Sequence, residues 1–386
     1  MEEKRAFITG VGKYLPGNPV ENDEIEKHLG LIGEKCSKAK SIILRQNQII
    51  KRHYAVDENG KLLYSNAKLT ANAIKDLLEK TNTKISEVEL LACGTSTPDQ
   101  MLPSHASMVH GLLEEAPSFE IASLSGVCCS GAQSIVYAYQ SILSGLKEKA
   151  ICTGSELASP ILMAKSFDAE YKILKEIESN PIIAFEKDFL RFMLSDGAGA
   201  FLLTNKPKGL SLKIEWIESI SYANILPPCM FQGLDAEADG NFKSWKEMTS
   251  AEWLETSVFA IKQNTRLLGK HIVELSIAFI NKCIEKHHFD VSTLSYFLPH
   301  LSSMYFRKQM QEAHFEEVTG IPEEKWFINL PYVGNVGSAS IYLATEELVY
   351  SGKLKENDKI LLFIPESGRF SFATILLTVV NAPKQP

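Results

Sequence analysis

The chain has 386 residues, of which 45% are hydrophobic and 23% are charged, and its formal net charge is −7. These values are typical of a soluble protein with one large or two smaller domains, and the negative charge argues against nucleic-acid binding. The charged N-terminus gives no sign of a signal peptide, and no apolar run approaches the roughly 18 residues of a membrane span.

The seven cysteines are irregularly spaced, odd in number and contain no C-x-x-C pair. This pattern argues against a disulfide framework and against a structural zinc site. Free thiols are typical of a reducing compartment, so we expect a cytoplasmic protein.

The first half of the chain alternates predicted strands with predicted helices. We predict strands at Ala6–Val11, Val88–Gly94, Phe119–Leu124, Ala150–Gly154 and Arg191–Leu203, and helices at Asn22–Leu29, Thr70–Leu78, His105–Leu113 and Gln133–Leu143. The polar run 171–188 is interpreted as an insertion over the core, in the manner of a lid. The alternation indicates an α/β protein with mainly parallel strands.

Near Leu210 the pattern starts again. We predict strands at Leu212–Ile220, Tyr296–Leu298, Lys359–Ile364 and Phe370–Val380, and helices at Ala251–Leu268, His271–His287, Phe306–His314 and Ile341–Ser351. The two halves share one order of elements, so we predict a duplicated fold with halves at 1–208 and 209–386.

The most informative motif is the turn Ser125–Ala132, which joins a predicted strand to a predicted helix. Cys128 and Cys129 lie at the helix N-terminus, where unpaired backbone N–H groups and the helix dipole favour a thiolate. Gly126 and Gly131 permit a tight turn and close backbone approach. A thiolate here is suited to accept an acyl group. The alternative is that both cysteines are small buried hydrophobes.

Three further groups would complete such a site. His300 follows a short apolar strand, where α/β sheets present catalytic side chains, or else it is a turn histidine bonded to backbone. Asn335 precedes a predicted helix and is either a capping residue or an amide donor for an enolate. Gly368 is either a hairpin residue or a backbone donor of an oxyanion hole.

In their order along the chain, these motifs resemble those of the thiolase-fold condensing enzymes, in particular the β-ketoacyl-ACP synthase III branch. Cys129, rather than Cys128, takes the position of the nucleophile. The matching segments are Thr95–Ser104, the cysteine turn, Asp196–Ala200, Pro299–His300 and Gly334–Ser340.

The resemblance implies an α/β thiolase fold, with duplicated βαβαβαββ halves forming five layers, α-β-α-β-α. It implies that Cys129 takes an acyl group from a thioester and that the N–H groups of Cys129 and Gly368 form the oxyanion hole. His300 and Asn335 then stabilise the enolate of a second thioester, usually formed by decarboxylation, for Claisen condensation. No metal or redox cofactor is implied.

The resemblance also implies partners. In a homodimer, Met101 and Leu102 reach the acyl pocket across the interface, and Leu194 is a further substrate-binding residue. Acyl carrier protein or coenzyme A thioesters are the implied substrates. The basic residues assigned to contact them are Arg45, Lys51, Arg52 and Arg307.

Departures from the family pattern suggest a specialised member. His300 is followed by Leu-Ser-Ser where the family commonly has Gln-Ala-Asn, and Phe372 stands where tryptophan is common. The run Ser96–Gly111 is similar to the condensing enzymes of dialkylresorcinol and flexirubin-type pigment clusters, which use a β-ketoacyl thioester as the nucleophile. We therefore expect a role in fatty-acid or polyketide pigment biosynthesis.

Two other functions fit the same motifs. One is an acyltransferase that keeps Cys129 but passes the acyl group to an oxygen or nitrogen acceptor. The other is a non-catalytic partner subunit. The presence of Cys129, His300 and Asn335 together favours condensation over both.

Overall fold

A nine-stranded mixed sheet runs through the computed structural model, which describes residues 4–32, 36–170, 188–237 and 239–382. Its strands are β1 (Phe7–Tyr14), β2 (Leu90–Thr95), β3 (Glu120–Ser125), β4 (Lys149–Glu156), β5 (Gly197–Thr204), β6 (Leu210–Ser221), β7 (Leu294–Pro299), β8 (Lys359–Glu366) and β9 (Ser371–Asn381). They run side by side in the order β7-β8-β9-β6-β1-β5-β4-β2-β3.

The α-helices whose full extent is described are α1 (Ile25–Leu29), α2 (Lys40–Asn47), α3 (Asn66–Thr81), α4 (His105–His110), α5 (Cys129–Ser144), α6 (Ser159–Leu162), α7 (Ser250–Glu255), α8 (Thr265–Lys286), α9 (Met304–Glu312), α10 (Phe315–Thr319), α11 (Leu330–Val333) and α12 (Ser340–Tyr350). Small two-stranded ladders outside the main sheet pair Val20–Glu21 with Lys51–Arg52, Met230–Phe231 with Lys262–Gln263, and Leu234–Ala236 with Phe242–Ser244.

The strands of each half form one sheet layer, and helices pack between these two layers and on their outer faces. Helices α5 and α12 pack between the two halves, and their apolar side chains share one core with β2, β5, β8 and β9. Helices α3 and α4 cover the outer face of the first half, and α8, α9 and α10 cover that of the second. The five-layer arrangement therefore follows the prediction.

The two halves repeat one strand order. In the first half the order is β3-β2-β4-β5-β1, and in the second β7-β8-β9-β6 follows the same path. The missing edge strand of the second half is reduced to one parallel bridge, Phe297 to Trp326. The halves meet where β1 pairs with β6 at Phe7 and Ile8 only. This repeat agrees with a duplicated fold; the boundary at 208/209 stays a prediction.

Three predictions about the elements were wrong. The strand predicted at Arg191–Leu203 begins only at Gly197, because residues 188–191 are helical. The strands are not mainly parallel, because β1, β5, β6 and β9 pair antiparallel with their neighbours. The predicted helix Ala251–Leu268 is instead the short α7, a two-residue strand and the start of α8. The break has a local cause: Ser257 has a positive φ of 48°, and the Asn264 side chain caps α8 by accepting from the Leu267 N–H at 2.9 Å.

The predicted lid at 171–188 falls, apart from Asp188, outside the described residues. Among the helices that are described, none is both long enough and apolar enough to cross a membrane.

Two glycines allow the backbones of the two halves to approach closely; we call this contact, between Gly131 and Gly154 of the first half and Ser338 of the second, the seam. A Cβ on Gly131 of α5 would lie 2.2 Å from the Ser338 carbonyl oxygen, and one on Gly154 of β4 would lie 2.3 Å from it. The Ser338 hydroxyl donates to the Ser155 carbonyl at 2.9 Å. The segment that carries Asn335 is thereby held against the helix that begins at Cys129.

Replacing Gly131 by alanine is expected to destabilise the fold by about 3 kcal/mol, because the added methyl group meets a backbone carbonyl that cannot rotate away. Urea unfolding measures the loss. Gly269→Ala is the matched control, since nothing lies within 4 Å of a Cβ there; it should be neutral or stabilising. Equal losses in the two variants would contradict the close seam.

Candidate active site

The cysteine turn lies at the start of α5, buried between the halves. Cys128 and Cys129 are 6% and 4% exposed. The Cys129 Sγ donates to the Ile364 carbonyl at 3.3 Å, so its side chain points toward β8 of the second half. The strand–turn–helix context predicted for the motif is therefore present.

The turn's N–H groups are occupied by a carboxylate that the sequence analysis missed. Glu366, the last residue of β8, accepts through Oε2 from the N–H of Cys129 at 3.0 Å and of Val127 at 3.2 Å. Burial first, and then the Glu366 charge, raise the pKa of Cys129 well above its ordinary value. This arrangement opposes the predicted thiolate, first because the thiol is buried and second because the Glu366 carboxylate already accepts from the N–H groups at the helix N-terminus.

Gly368 has a backbone N–H that is available as a hydrogen-bond donor beside the cysteine turn. Its carbonyl accepts from the N–H groups of Cys229 at 2.8 Å and Met230 at 3.2 Å. Among the described residues, its own N–H has no hydrogen-bond partner. A Cβ on Gly368 would lie 2.7 Å from Val127 Cγ2 and 3.2 Å from Glu366 Oε1, so the backbone passes close to both. The two predicted oxyanion donors thus flank the Glu366 carboxylate.

His300 lies just after β7, as predicted, and is buried. Its backbone N–H donates to the Phe363 carbonyl at 2.8 Å, next to the Ile364 carbonyl that accepts from Cys129. Neither ring nitrogen has a partner among the described residues. Burial lowers the pKa of His300 to about 4, so its imidazole is neutral at pH 7. A neutral ring with two unused nitrogens can donate to or accept from a substrate.

Asn335 is fixed in the loop before α12. Its N–H donates to the Met193 carbonyl at 3.1 Å, and its Oδ1 accepts from the Gly337 N–H at 3.0 Å. These bonds orient the side chain through its oxygen, which leaves the NH₂ group as the donor. Buried Glu156 holds the same loop by accepting from the Ser338 N–H at 3.1 Å. The Asn335 Oδ1 atom thus supports the short 3-10 turn at Gly337–Ala339, and the role of the NH₂ group as a donor to an enolate stays a prediction.

Two small apolar cavities, each of about 30 Å³, meet beside the cysteine turn. The first is lined by Leu194, as predicted, and by Asn335. The second is lined by His300 and Phe306 and extends toward α8 and α9. Cys128 lines both cavities, whereas Cys129 is not among their lining residues. The choice of Cys129 over Cys128 therefore stays a prediction.

Met101 and Leu102 do not reach these cavities of their own chain. They are 67% and 86% exposed on the loop before α4. Apolar side chains so exposed are suited to insert into another subunit, but their role at a dimer interface stays a prediction.

Arg52 was wrongly predicted to contact a carrier or coenzyme A. It is fully buried, with Nη1 donating to Asn22 Oδ1 at 2.7 Å and Nη2 to the Phe192 carbonyl at 3.3 Å. A side chain committed to internal hydrogen bonds cannot meet a protein surface. Sequence pattern gave no sign of this burial, because Arg52 follows a lysine in a polar run.

The other three basic residues predicted to contact a carrier or coenzyme A differ in how free their side chains are to bind a partner. Arg45 is exposed near the C-terminus of α2. Lys51 lies 3.7 Å from Glu21, and Arg307 forms an ion pair with Glu323. Of the four, Arg45 is best placed to meet an acidic partner.

Replacing Arg52 by alanine is expected to lower the free energy of unfolding by about 3 kcal/mol, because buried acceptors lose a charged donor. Thermal unfolding measures this. Arg45→Ala is the control and should leave stability within about 0.5 kcal/mol of the parent. A stable Arg52→Ala protein that had lost carrier binding would restore the original prediction.

Comparison with known proteins identifies the chain's relatives. One family model, the thiolase N-terminal domain, matches residues 59–184, and another, the 3-oxoacyl-[acyl-carrier-protein] synthase III C-terminal domain, matches residues 284–377. The β-ketoacyl-[acyl-carrier-protein] synthase III of Clostridium tetani is 25% identical over 362 residues, which cover 94% of this chain and 95% of the relative. The chain is a relative of the 3-oxoacyl-[acyl-carrier-protein] synthases III.

Solved structures extend the likeness to the fold. The 3-oxoacyl-[acyl-carrier-protein] synthase III of Aquifex aeolicus VF5 has a TM-score of 0.70 at 22% identity, covering 97% of this chain and 99% of that one. AbyA1, described as a tetronic acid condensing enzyme, has a TM-score of 0.76 at 18% identity, with the same coverage. The predicted thiolase fold is confirmed.

Proposed function

We propose that this relative of the 3-oxoacyl-[acyl-carrier-protein] synthases III is a condensing enzyme. In the proposed cycle, the Cys129 sulfur attacks an acyl thioester, the bond to the donor's sulfur breaks, and the donor leaves as a thiol that takes the Cys129 proton. Cys129 then carries the acyl group. The enolate of a second thioester, stabilised by His300 and Asn335, then attacks that acyl group. A β-ketoacyl product leaves, and Cys129 is regenerated.

One observation carries the proposal. The Cys129 thiol and the His300 N–H donate to consecutive carbonyls of β8, Ile364 and Phe363. A cysteine from the first half and a histidine from the second are therefore both attached at the same end of β8. The Asn335 loop is fixed to the seam by Ser338. A nucleophile and two neutral hydrogen-bond donors in one place suit acyl transfer followed by carbon–carbon bond formation.

The finer proposal is that both substrates carry acyl chains, as in dialkylresorcinol pigment synthesis. Two apolar cavities meet at Cys128, and both are walled by Leu268. One leads from Asn335 and the other from His300. This arrangement supports separate places for two apolar groups, and a single short malonyl unit would not need it.

We also propose a homodimer that uses carrier-protein or coenzyme A thioesters and no metal or redox cofactor. The exposed apolar Met101 and Leu102 support the dimer, and the exposed Arg45 supports contact with a phosphate or an acidic carrier.

Intact-protein mass spectrometry tests the function. The protein is mixed with octanoyl-CoA and then with malonyl-CoA or 3-oxodecanoyl-CoA. We expect an octanoyl adduct that disappears with the second thioester as a condensed product forms. An adduct lost only to an alcohol or amine would support the acyltransferase alternative. No adduct with several chain lengths would support a non-catalytic subunit.

A further inference from the structure

We propose that Glu366 is the base that removes the α-proton of the second thioester, so that the carbon nucleophile forms without decarboxylation. This inference rests on the proposed condensation. It assigns a role to a residue for which that reaction scheme, with Cys129, His300 and Asn335, has no use.

The position of the carboxylate is the first support. Glu366 Oε2 accepts from the Cys129 N–H at 3.0 Å, the donor that an acyl oxygen on Cys129 would need. When an acyl oxygen takes that N–H, the carboxylate keeps the Val127 N–H, to which it lies at 3.2 Å. Oε2, which accepts both bonds, would then carry one hydrogen bond fewer and would remain next to the acylated Cys129, where the attacking α-carbon must arrive.

The surrounding charge is the second support. Within the described ranges, Glu366 has no ion pair with a lysine, arginine or histidine. The residues found to line the two cavities include Glu156 and no lysine or arginine. A malonyl carboxylate in the first cavity would therefore face the buried Glu156 with no lysine or arginine in the described lining, at a high electrostatic cost. Glu366 is not among the described lining residues of either cavity and approaches the site through the Cys129 N–H. A thioester with no free carboxylate meets no such barrier.

Burial also makes Glu366 a stronger base than an exposed glutamate. It is 8% exposed, and burial raises its pKa above the ordinary value while the two N–H donors oppose that shift. Loss of the Cys129 N–H to an acyl oxygen removes one of these donors. The carboxylate therefore gains basicity at the stage when a proton must be abstracted.

The step balances. The Glu366 carboxylate takes the α-proton of the second thioester and becomes a carboxylic acid, and the carbanion is held as an enolate by His300 and Asn335. The carbanion attacks the acyl carbon, the carbon–carbon bond forms and the bond to the Cys129 sulfur breaks. The departing Cys129 thiolate takes the proton from Glu366. The thiol and the carboxylate are both restored, and no carbon dioxide is released.

A purely structural role is the competing explanation, since a carboxylate at a helix N-terminus stabilises that helix. Asp196 shows what such a role looks like here. It is fully buried, far from the cysteine turn in sequence, and accepts from the N–H groups of Ala55, Ala158 and Ser159 at 2.7 to 2.9 Å. Glu366 instead accepts from two N–H groups and from the Ser371 side chain, and one of the two N–H groups belongs to the proposed nucleophile.

Glu366→Gln tests the proposal, because glutamine keeps the hydrogen-bond acceptor but cannot take a proton. We expect this variant to form the octanoyl adduct from octanoyl-CoA, yet to transfer it to 3-oxodecanoyl-CoA about 100-fold or more slowly than the parent. Exchange of the α-proton of 3-oxodecanoyl-CoA with deuterated water, above the buffer rate, should fall equally. Asp196→Asn is the control for losing a buried carboxylate and should transfer normally per folded molecule.

The outcomes separate the two proposals. Parental transfer and exchange rates in Glu366→Gln would reduce Glu366 to a helix cap and overturn its role as base. Transfer by the parent protein to malonyl-CoA alone, with release of carbon dioxide, would overturn it as well. If the parent formed no adduct, the proposed condensation would fail, and the exchange assay would still decide whether Glu366 abstracts the proton.

Discussion

Replacing Cys129 by alanine is expected to abolish the acyl adduct and to lower condensation by at least about 10⁴-fold, because the proposed thioester forms on the Cys129 sulfur. Cys129 begins α5, and its sulfur points to the Ile364 carbonyl beside His300. Intact-protein mass spectrometry with octanoyl-CoA measures the adduct, and peptide mapping locates it.

Cys128→Ala is the matched control, since it removes a thiol of nearly the same burial one residue away. We expect it to keep the adduct, although Cys128 lines both cavities and a change of shape there could slow loading. Loss of the adduct in Cys128→Ala, with its retention in Cys129→Ala, would exchange the roles of the two cysteines.

Replacing Asn335 by alanine is expected to separate the two half-reactions. The variant should still load the acyl group, because Asn335 forms no hydrogen bond with the cysteine turn within the described chain. Condensation should fall by about 10²–10³-fold, since one donor to the enolate is lost. Single-turnover measurements follow loading and transfer separately.

Asn335→Asp is the informative companion variant. It keeps the acceptor for the Gly337 N–H, which lies 3.0 Å from Oδ1, but replaces the NH₂ donor by an oxygen. Loss of transfer in both variants would point to the donor, whereas recovery in Asn335→Asp would show that Asn335 only holds the loop.

The sequence predicted those parts of the site that local pattern determines. Each of Cys129, His300 and Asn335 stands beside a strand end or a helix start, and glycine, proline and short apolar runs mark such places reliably. Element order alone also predicted the repeat of the two halves. The strand directions were mistaken, because antiparallel pairs such as β1 with β5 and β6 with β9 join distant parts of the chain, and no local pattern records their direction.

Burial and long-range contacts account for what the sequence did not predict. Glu366 lies 237 residues from the Cys129 N–H that it accepts, and no local pattern records such a contact. From the sequence, Arg52 is expected at the surface. Its burial depends on a contact with the Phe192 carbonyl, which is 140 residues away. The thiolate argument failed for the same reason, since it considered the helix without the strand that packs on it.

The small size of the two cavities has a consequence for chain-length preference. As the described residues enclose them, each has room for about two water molecules. An acyl chain of several carbons must therefore push side chains such as Leu268 and Met193 aside as it enters. The range of accepted chain lengths would then depend more on how easily these side chains move than on a fixed cavity length. Distant substitutions that soften the packing would widen the range of accepted chains, and warming would do the same.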